Sequence, residues 1–437
     1  MRNKGPKDLA ATVATRLKLV AISLDKLVEL FECVYYASLK TEEARQVSVS
    51  VTFVDPSNPD PSPPPRIRHG TWSLTRFADP IDLTVSNLTK LASGCDHRSS
   101  SIAVYPDRAG RLRIWGLIDQ QNRIFEFVRH DADSGPRQPG DFQAVGLSPG
   151  HIRVIHDYQN IAELKVNKLV DRRPDVLWHG LIAEKLQMSI VPQLEKVLRR
   201  VHGRSDADLR MARSYYYDKW ISSLCRLLLR MRDYRHGGAL LIAPRVPPGS
   251  LNIKHKIRYP RLADALYLSC LYEISSSDAS DLIEKVPNAD SIPKALYYQR
   301  VINDDDGEDT QSELNAALWF ISLLTRVDGL VVMDHRWRVT GFGVEITATN
   351  EPRHVYVSDA ARYSQRSLRK CDYTLFGTRH RSMMRLCAVA PGAIGFVVSQ
   401  DGDVRAITKV GKQVVMWEDI QLHLEVPRAR RSRAASE

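Results

Sequence analysis

Apolar positions recur at three- and four-residue steps through the N-terminal forty residues, where Leu17, Val20, Leu24, Leu27, Val28 and Phe31 share one face and predict a helix. The period then changes to two. Val47 to Val54 alternates small polar with apolar residues and reads as a strand, running into Asp55 to Pro65, whose crowded prolines and missing hydrophobic residues predict an extended loop. Ser101 to Tyr105 and Leu112 to Ile118 are rich in Ile, Val, Tyr and Trp, and Asp107-Arg108-Ala109-Gly110 between them has hairpin-turn chemistry. Arg123 to Val128 alternates again and Asp131 to Gly140 reads as a polar loop, so Gly70 to about His156 is expected to hold a small antiparallel sheet in one α+β module.

From Ile161 onward the pattern predicts helix. Ile182, Leu186, Ile190, Leu194, Val197 and Val201 form one apolar stripe, in which Pro192 predicts a kink or break, and Ile221, Leu224, Leu227, Leu228 and Met231 form another. Gly237 to Pro244 reads as a buried strand entered through glycines. Helices are expected over Leu262 to Ile274 and over Asp278 to Val286, with Asp278 as a cap, and again over Leu314 to Leu324. The acidic run Asn303 to Asp309 between them is expected in a solvated loop. Toward the C-terminus strands return: Val331 to Met333 and Arg338 to Phe342 flank a hairpin connection, as do Ile394 to Val398 and Val404 to Thr408 around Asp401-Gly402. No repeat of solenoid length is present.

Composition narrows the classes. The chain has 437 residues, 43% apolar and 26% charged, which suits a globular protein of roughly two or three domains. No stretch reaches the roughly 18 consecutive apolar residues of a membrane span, and Met1 to Leu9 lacks the apolar core of a signal peptide, so a cytoplasmic protein is expected. The six cysteines form no Cys-x-x-Cys pair and read as buried thiols. The net charge of +11 points to an anionic partner: a nucleic acid, a nucleotide or a lipid surface. Pro427 to Glu437, with Arg428, Arg430, Arg431 and Arg433, is expected to be a disordered basic tail, where any nucleic-acid contact would concentrate.

Two segments carry candidate chemistry. Asp328-Gly329-Leu330 opens a strand, where a carboxylate can hold a divalent ion and a glycine admits close approach to the backbone; an ordinary Asp-Gly turn is the alternative. Gly377-Thr378-Arg379-His380-Arg381 precedes a helix start, where backbone N–H groups, a hydroxyl and two guanidinium groups suit phosphate oxygens; an exposed basic loop is the alternative. His151, His156 and Asp157 do not make a complete metal-ligand set, and Tyr215-Tyr216-Tyr217 with Trp220 reads as helix packing.

Taken in order, Gly238 to Ile242, Asp328-Gly329-Leu330, Gly377 to Arg381 and Val397-Val398-Ser399 resemble the diadenylate cyclase (DAC) domain, over about residues 205 to 420. The Gly-Thr-Arg-His-Arg segment is the most specific part. The resemblance implies an α/β fold with a central mixed sheet flanked by helices, and a reaction in which two ATP molecules become cyclic di-AMP and two pyrophosphates. It also implies a homodimer, or a larger assembly, in which domains face one another. By matching position, Asp328 would bind Mg²⁺ or Mn²⁺, and Gly329 and Leu330 would meet the nucleotide through backbone. Gly377, Thr378, Arg379, His380 and Arg381 would cradle phosphates, with Ser399 and Gln400 at the phosphate-side strand end.

Ser101 to Arg108 and Leu112 to Asp119 are in turn similar to the β-rich sensor modules that precede some divergent DAC domains, with an unknown ligand. The domains are accordingly expected at 1–200 (sensor module), 201–425 (nucleotide-binding and catalytic domain) and 426–437 (basic tail). The chain departs from the family at several points: Leu330 and Met383 replace small residues, and Glu351 to Lys370 contains extra length. Gln400 stands where the family has an acidic residue, the carboxylate following at Asp401, a tentative second metal ligand. The alternative to a cyclase is therefore a degenerate DAC-like sensor that binds a nucleotide without turnover.

Overall fold

The computed structural model describes residues 3–59, 72–95, 99–120, 138–157, 159–170, 174–200, 206–284, 294–400 and 402–422. Arg123 to Val128, Asp401, the basic tail and most of the Pro-rich and 131–140 loops lie outside these residues. The chain divides into two compact units, Met1–Arg172 and Arg173–Glu437. Both are mixed α/β, each built on one large mixed sheet.

The first unit opens with α1 (Pro6–Leu17) and α2 (Leu24–Ser38) where the apolar period predicts one continuous helix. The break has a local cause: Lys18 turns into the left-handed region at φ 52°, and Ser23 restarts the helix by accepting a hydrogen bond from the Lys26 backbone N–H. There follow the short pair β1 (Thr41–Glu42) and β2 (Arg45–Gln46), then β3 (Val49–Phe53), β4 (Ser73–Asp82), α3 (Val85–Ala92), β5 (Ser100–Pro106), β6 (Leu112–Asp119), β7 (Phe142–Ser148), β8 (His151–His156), β9 (Gln159–Lys165) and β10 (Lys168–Val170). The eight-stranded sheet runs β10-β9-β8-β7-β3-β5-β6-β4, with β3 parallel to β5 and the other adjacent pairs antiparallel. Leu27, Leu30, Phe31 and Val34 of α2 and Leu88 of α3 bury against Val51, Phe53, Ile102 and Val104. The predicted hairpin of β5 and β6 is present, closed by Asp107, which accepts from the Ala109 and Arg111 N–H groups.

Gln159 to Lys165 corrects the expectation of helix from Ile161. Its Ala-Glu-Leu-Lys run suits a helix, yet it pairs antiparallel with β8, Leu164 opposite Ile152. Tertiary contacts override the local preference: Glu163 is fully buried and is hydrogen-bonded to His151 Nε2, with Arg153 3.5 Å away. His151 and His156 serve as strand side chains, His156 bonding the Asp141 carbonyl oxygen.

The second unit contains α4 (Leu181–Arg200), α5 (Asp206–Asp233), β11 (Gly238–Ile242), β12 (Leu251–Tyr259), α6 (Arg261–Glu284), α7 (Lys294–Leu324), β13 (Leu330–Met333), β14 (Val339–Ile346), β15 (Val355–Ser358), β16 (Leu368–Lys370), α8 (Thr378–Val389), β17 (Ile394–Val398), β18 (Val404–Val410) and β19 (Gln413–Trp417). Its nine-stranded sheet runs β12-β14-β13-β11-β17-β18-β19-β15-β16. Both faces are covered, which explains why β11 reads as an unbroken apolar run. Leu240 and Ile242 join a core with α4 to α7, whereas Ala239 and Leu241 join a second core with Met383, Met384 and Cys387 of α8.

Several boundaries differ from the sequence expectation. The division between units falls at Arg172/Arg173 and not near 200, because Ile182, Leu186 and Val197 of α4 share a core with Trp220 and Leu224 of α5. Helix α4 continues through Pro192; the carbonyl that loses its partner is that of Met188, a residue 77% exposed to solvent. One helix, α6, replaces the two expected around Asp278. Asn303 to Asp309 lies inside α7 and not in a loop. Its glycine has a packing reason: a Cβ at Gly307 would sit 2.3 Å from the Tyr272 ring of α6. The extra length at Glu351 to Lys370 forms β15 and β16, which widen the sheet at its edge.

Among the described residues no helix is long and apolar enough to cross a membrane. The cysteines are free thiols, and burial pushes Cys387 up to about 12. Trp220 is 1% exposed and its ring lies 4.2 Å from that of Trp337, anchoring the larger core of the second unit. Trp220→Ala is expected to cost about 3–5 kcal/mol, lowering the urea midpoint of this unit with little change in slope.

Candidate functional site

Strand direction gathers the site. β11 runs parallel to β13, with Leu240 opposite Val331, and antiparallel to β17, with Gly238 opposite Val398. The starts of β11 and β13 and the end of β17 therefore lie at one end of the sheet. β14 returns antiparallel to β13 and brings its own C-terminal residues to the same end. Helix α8 begins there as well, and a cleft of about 920 Å³ opens between these ends.

Asp328, Gly329, Leu330, Gly377, Thr378, Arg379, His380, Ser399 and Gln400 all line this cleft. The separation of these segments in sequence is thus erased by the fold. Arg381 is not part of the lining: with about 100° between successive helical residues, Thr378, Arg379, Ser382 and Met383 take the cleft side of α8 and Arg381 turns away, half-buried. Asp401 lies outside the described residues.

Each part has a local cause. Gly329 has φ 114°, and a Cβ there would lie 2.6 Å from the Gly343 carbonyl carbon, so the Asp-Gly opening of β13 is dictated by close backbone approach. The carboxylate of Asp328, just outside that strand, is exposed to the cleft. Leu330, the bulkier residue, is only 4% exposed and packs with Ala239, Val344 and Met383 beneath the cleft. Met383 is accommodated by Gly395, where any Cβ would meet the Met383 sulfur at 2.3 Å.

Helix α8 follows Gly377, which has no side chain to cap it; the His380 N–H bonds the Gly377 carbonyl oxygen at 3.0 Å, and the positive end of the helix dipole, at Thr378 and Arg379, faces solvent or an anion. Arg379 reaches back over Gly237: with φ 71°, that glycine leaves the space in which a Cβ would lie 2.6 Å from Arg379 Nη1. Ser399 donates its hydroxyl to the Asp403 carbonyl oxygen at 3.1 Å, fixing the β17–β18 hairpin beside the cleft. His380 is buried, with Nε2 2.8 Å from Arg405 Nη1.

The opposite wall comes from residues the motif reading misses. Lys254 of β12 and Glu345 of β14 line the cleft as an ion pair at 2.7 Å. Glu345 is held below the usual carboxylate range by the Lys254 hydrogen bond first and by Asn252 next. Lys254 is raised, chiefly by Glu345, with the Asp328 charge adding to it. The alternation of Leu251 to Tyr259 marks a strand, but nothing in it singles out Lys254 before β12 is paired with β14. Cations from α8 and β12 thus face two carboxylates, an arrangement suited to a polyanion with a bridging divalent ion.

Comparison with known proteins bears on the first unit. Residues 21–119, from just before α2 through β6, match the family described as "Probable sensor domain DACNV". The N-terminal unit is therefore similar to a sensor domain. No curated protein and no solved structure matches the chain.

Gly237→Ala tests whether Arg379 needs that space. The variant is expected to weaken tripolyphosphate binding roughly 10- to 100-fold, the loss of one or two hydrogen bonds to a charged group, and calorimetric titration reads it. Wild-type affinity in the variant would mean that Arg379 does not hold the anion.

Proposed function

We propose that the second unit is a diadenylate cyclase domain under control of the N-terminal sensor module. The observation that carries this reading is the meeting, in one cleft, of the Asp328-Gly329 strand opening with the Gly377-Thr378-Arg379-His380 helix start. ATP would lie with its phosphates against the start of α8 and Arg379, and with the backbone of Gly329 and Leu330 beside the nucleoside. Two copies facing one another, in a homodimer or larger assembly, would bring each 3′-hydroxyl to the other nucleotide's α-phosphorus. The new O3′–P bond forms as the bond to the bridging oxygen of pyrophosphate breaks, and the hydroxyl proton passes to water. Arg379 and the helix dipole offset the charge that grows on the leaving pyrophosphate.

Among the described residues no group of three or more His, Cys, Asp or Glu side chains is arranged to hold a metal ion. Mg²⁺ or Mn²⁺ would be held by Asp328 together with nucleotide phosphates, the usual manner for a hard ion that arrives with its substrate. Such an ion would lower the charge on the phosphates and favour ionisation of the 3′-hydroxyl.

A second reading has its own observation. Gln400 lines the cleft at the end of β17, where a neutral amide cannot supply the charge of a carboxylate. Under that reading the domain binds a nucleotide and acts as a sensor without turnover.

Full-length protein with ATP and Mn²⁺ is expected to yield cyclic di-AMP by mass spectrometry, and Asp328→Asn to lower the rate by at least about 100-fold, a loss of roughly 2.7 kcal/mol. Saturable ATP binding that is lost in Arg379→Ala, with no cyclic product under any metal, would establish the sensor reading in place of the cyclase.

A further inference from the structure

Arg405 belongs to none of the motifs above, yet its side chain touches His380. It projects from β18, opposite Val397 of β17, and is 16% exposed. Its Nη1 lies 2.8 Å from His380 Nε2. Its other nitrogens face two carboxylates, Asp403 at 3.7 Å from Nη2 and Glu418 at 3.5 Å from Nε. The Phe376 ring lies 6.0 Å from its guanidinium carbon and 6.1 Å from the His380 ring. The guanidinium thus sits between two carboxylates at ion-pair distance while Nη1 meets the His380 ring.

The chemistry of this contact is one-sided. A guanidinium stays protonated and has only donors, so the nitrogen facing it must accept. His380 Nε2 therefore presents its lone pair, and the ring proton resides on Nδ1. A doubly protonated ring would set N–H against N–H and cation against cation. The Nδ1 side of the ring faces the helix start: a Cβ on Gly377 would lie 4.0 Å from it. Gly377 and His380 both line the cleft.

We propose that Arg405 is a positioning residue that keeps the His380 imidazole neutral and in its Nδ1–H form, with that donor on the Gly377 side of the ring. The assignment of the tautomer stands on the Arg405 contact alone; its use in holding phosphate rests on the nucleotide reading given above. The device does in an anion site what outer partners of metal-bound histidines do, fixing one ring nitrogen so that the other has a defined role.

Full-length protein labelled with ¹⁵N-histidine tests it, with the His380 signals assigned by their loss in His380→Gln. Long-range ¹H–¹⁵N spectra of the wild type at neutral pH are expected to show a protonated Nδ1 and an unprotonated Nε2. A protonated Nε2 in the wild type would overturn the proposal without recourse to any variant. In Arg405→Leu the His380 signature is expected to move toward Nε2–H or toward imidazolium, and in Arg405→Lys, which retains a cationic donor, to return toward wild type. An unchanged signature in a folded Arg405→Leu protein would also overturn it. Calorimetry with Mg-ATP separates the two layers: Arg405→Leu is expected to weaken binding about 10-fold, or about 1.4 kcal/mol. Absence of ATP binding by the wild type would count against the nucleotide reading while leaving the tautomer result to stand or fall by its spectrum.

Discussion

The second unit depends on the pairing of β11 with its two neighbours. Because β13 runs with β11 and β17 runs against it, the start of one and the end of the other are forced to the same edge of the sheet. A side chain's position along a strand is fixed by register, and slipping one residue would turn Leu240 and Ile242 into the core now occupied by Ala239 and Leu241. Burial of both faces thus locks the register, and the register in turn locks Asp328 and Ser399 beside the beginning of α8. The cleft is a consequence of sheet topology before it is a matter of any one side chain.

Glycine and charge then shape what topology has assembled. Gly329 and Gly237 both hold backbone conformations unfavourable to other residues, and each leaves space that a neighbour fills, the β14 backbone in one case and Arg379 in the other. The cations on either side differ in freedom. Lys254 is tied to Glu345, whereas the guanidinium of Arg379 lies over a glycine. Behind them Arg405 bridges His380 to Asp403 and Glu418, so the rear of the site is a network of charge-assisted contacts.

Legibility in the sequence followed the range of the interactions involved. The hairpins β5–β6, β13–β14 and β17–β18 are readable because a few adjacent residues define each turn, as Asp107 does by accepting two backbone bonds. The strand β9 is not, because its helix-favouring Ala162-Glu163-Leu164 segment is recruited by β8 and by the buried His151 contact. Nor is the helical state of Asn303 to Asp309: a glycine among acidic residues resembles a turn until Tyr272 of another helix is found against it.

The sequence alone determined the apolar face of α2, the buried strand β11, and the helix start after Gly377 with its run of hydroxyl, guanidinium and imidazole groups through Arg381. These are local properties, set by side-chain periodicity and by the chemistry of adjacent groups. Tertiary structure alone decided that Asp328 meets Arg379 in one cleft, that Arg381 turns from it, that Lys254 and Glu345 close its other wall, and that His380 rests on Arg405. The physical reason is that each of these relations joins segments far apart in the chain, and only strand direction, helical rotation and packing bring them within a few ångströms.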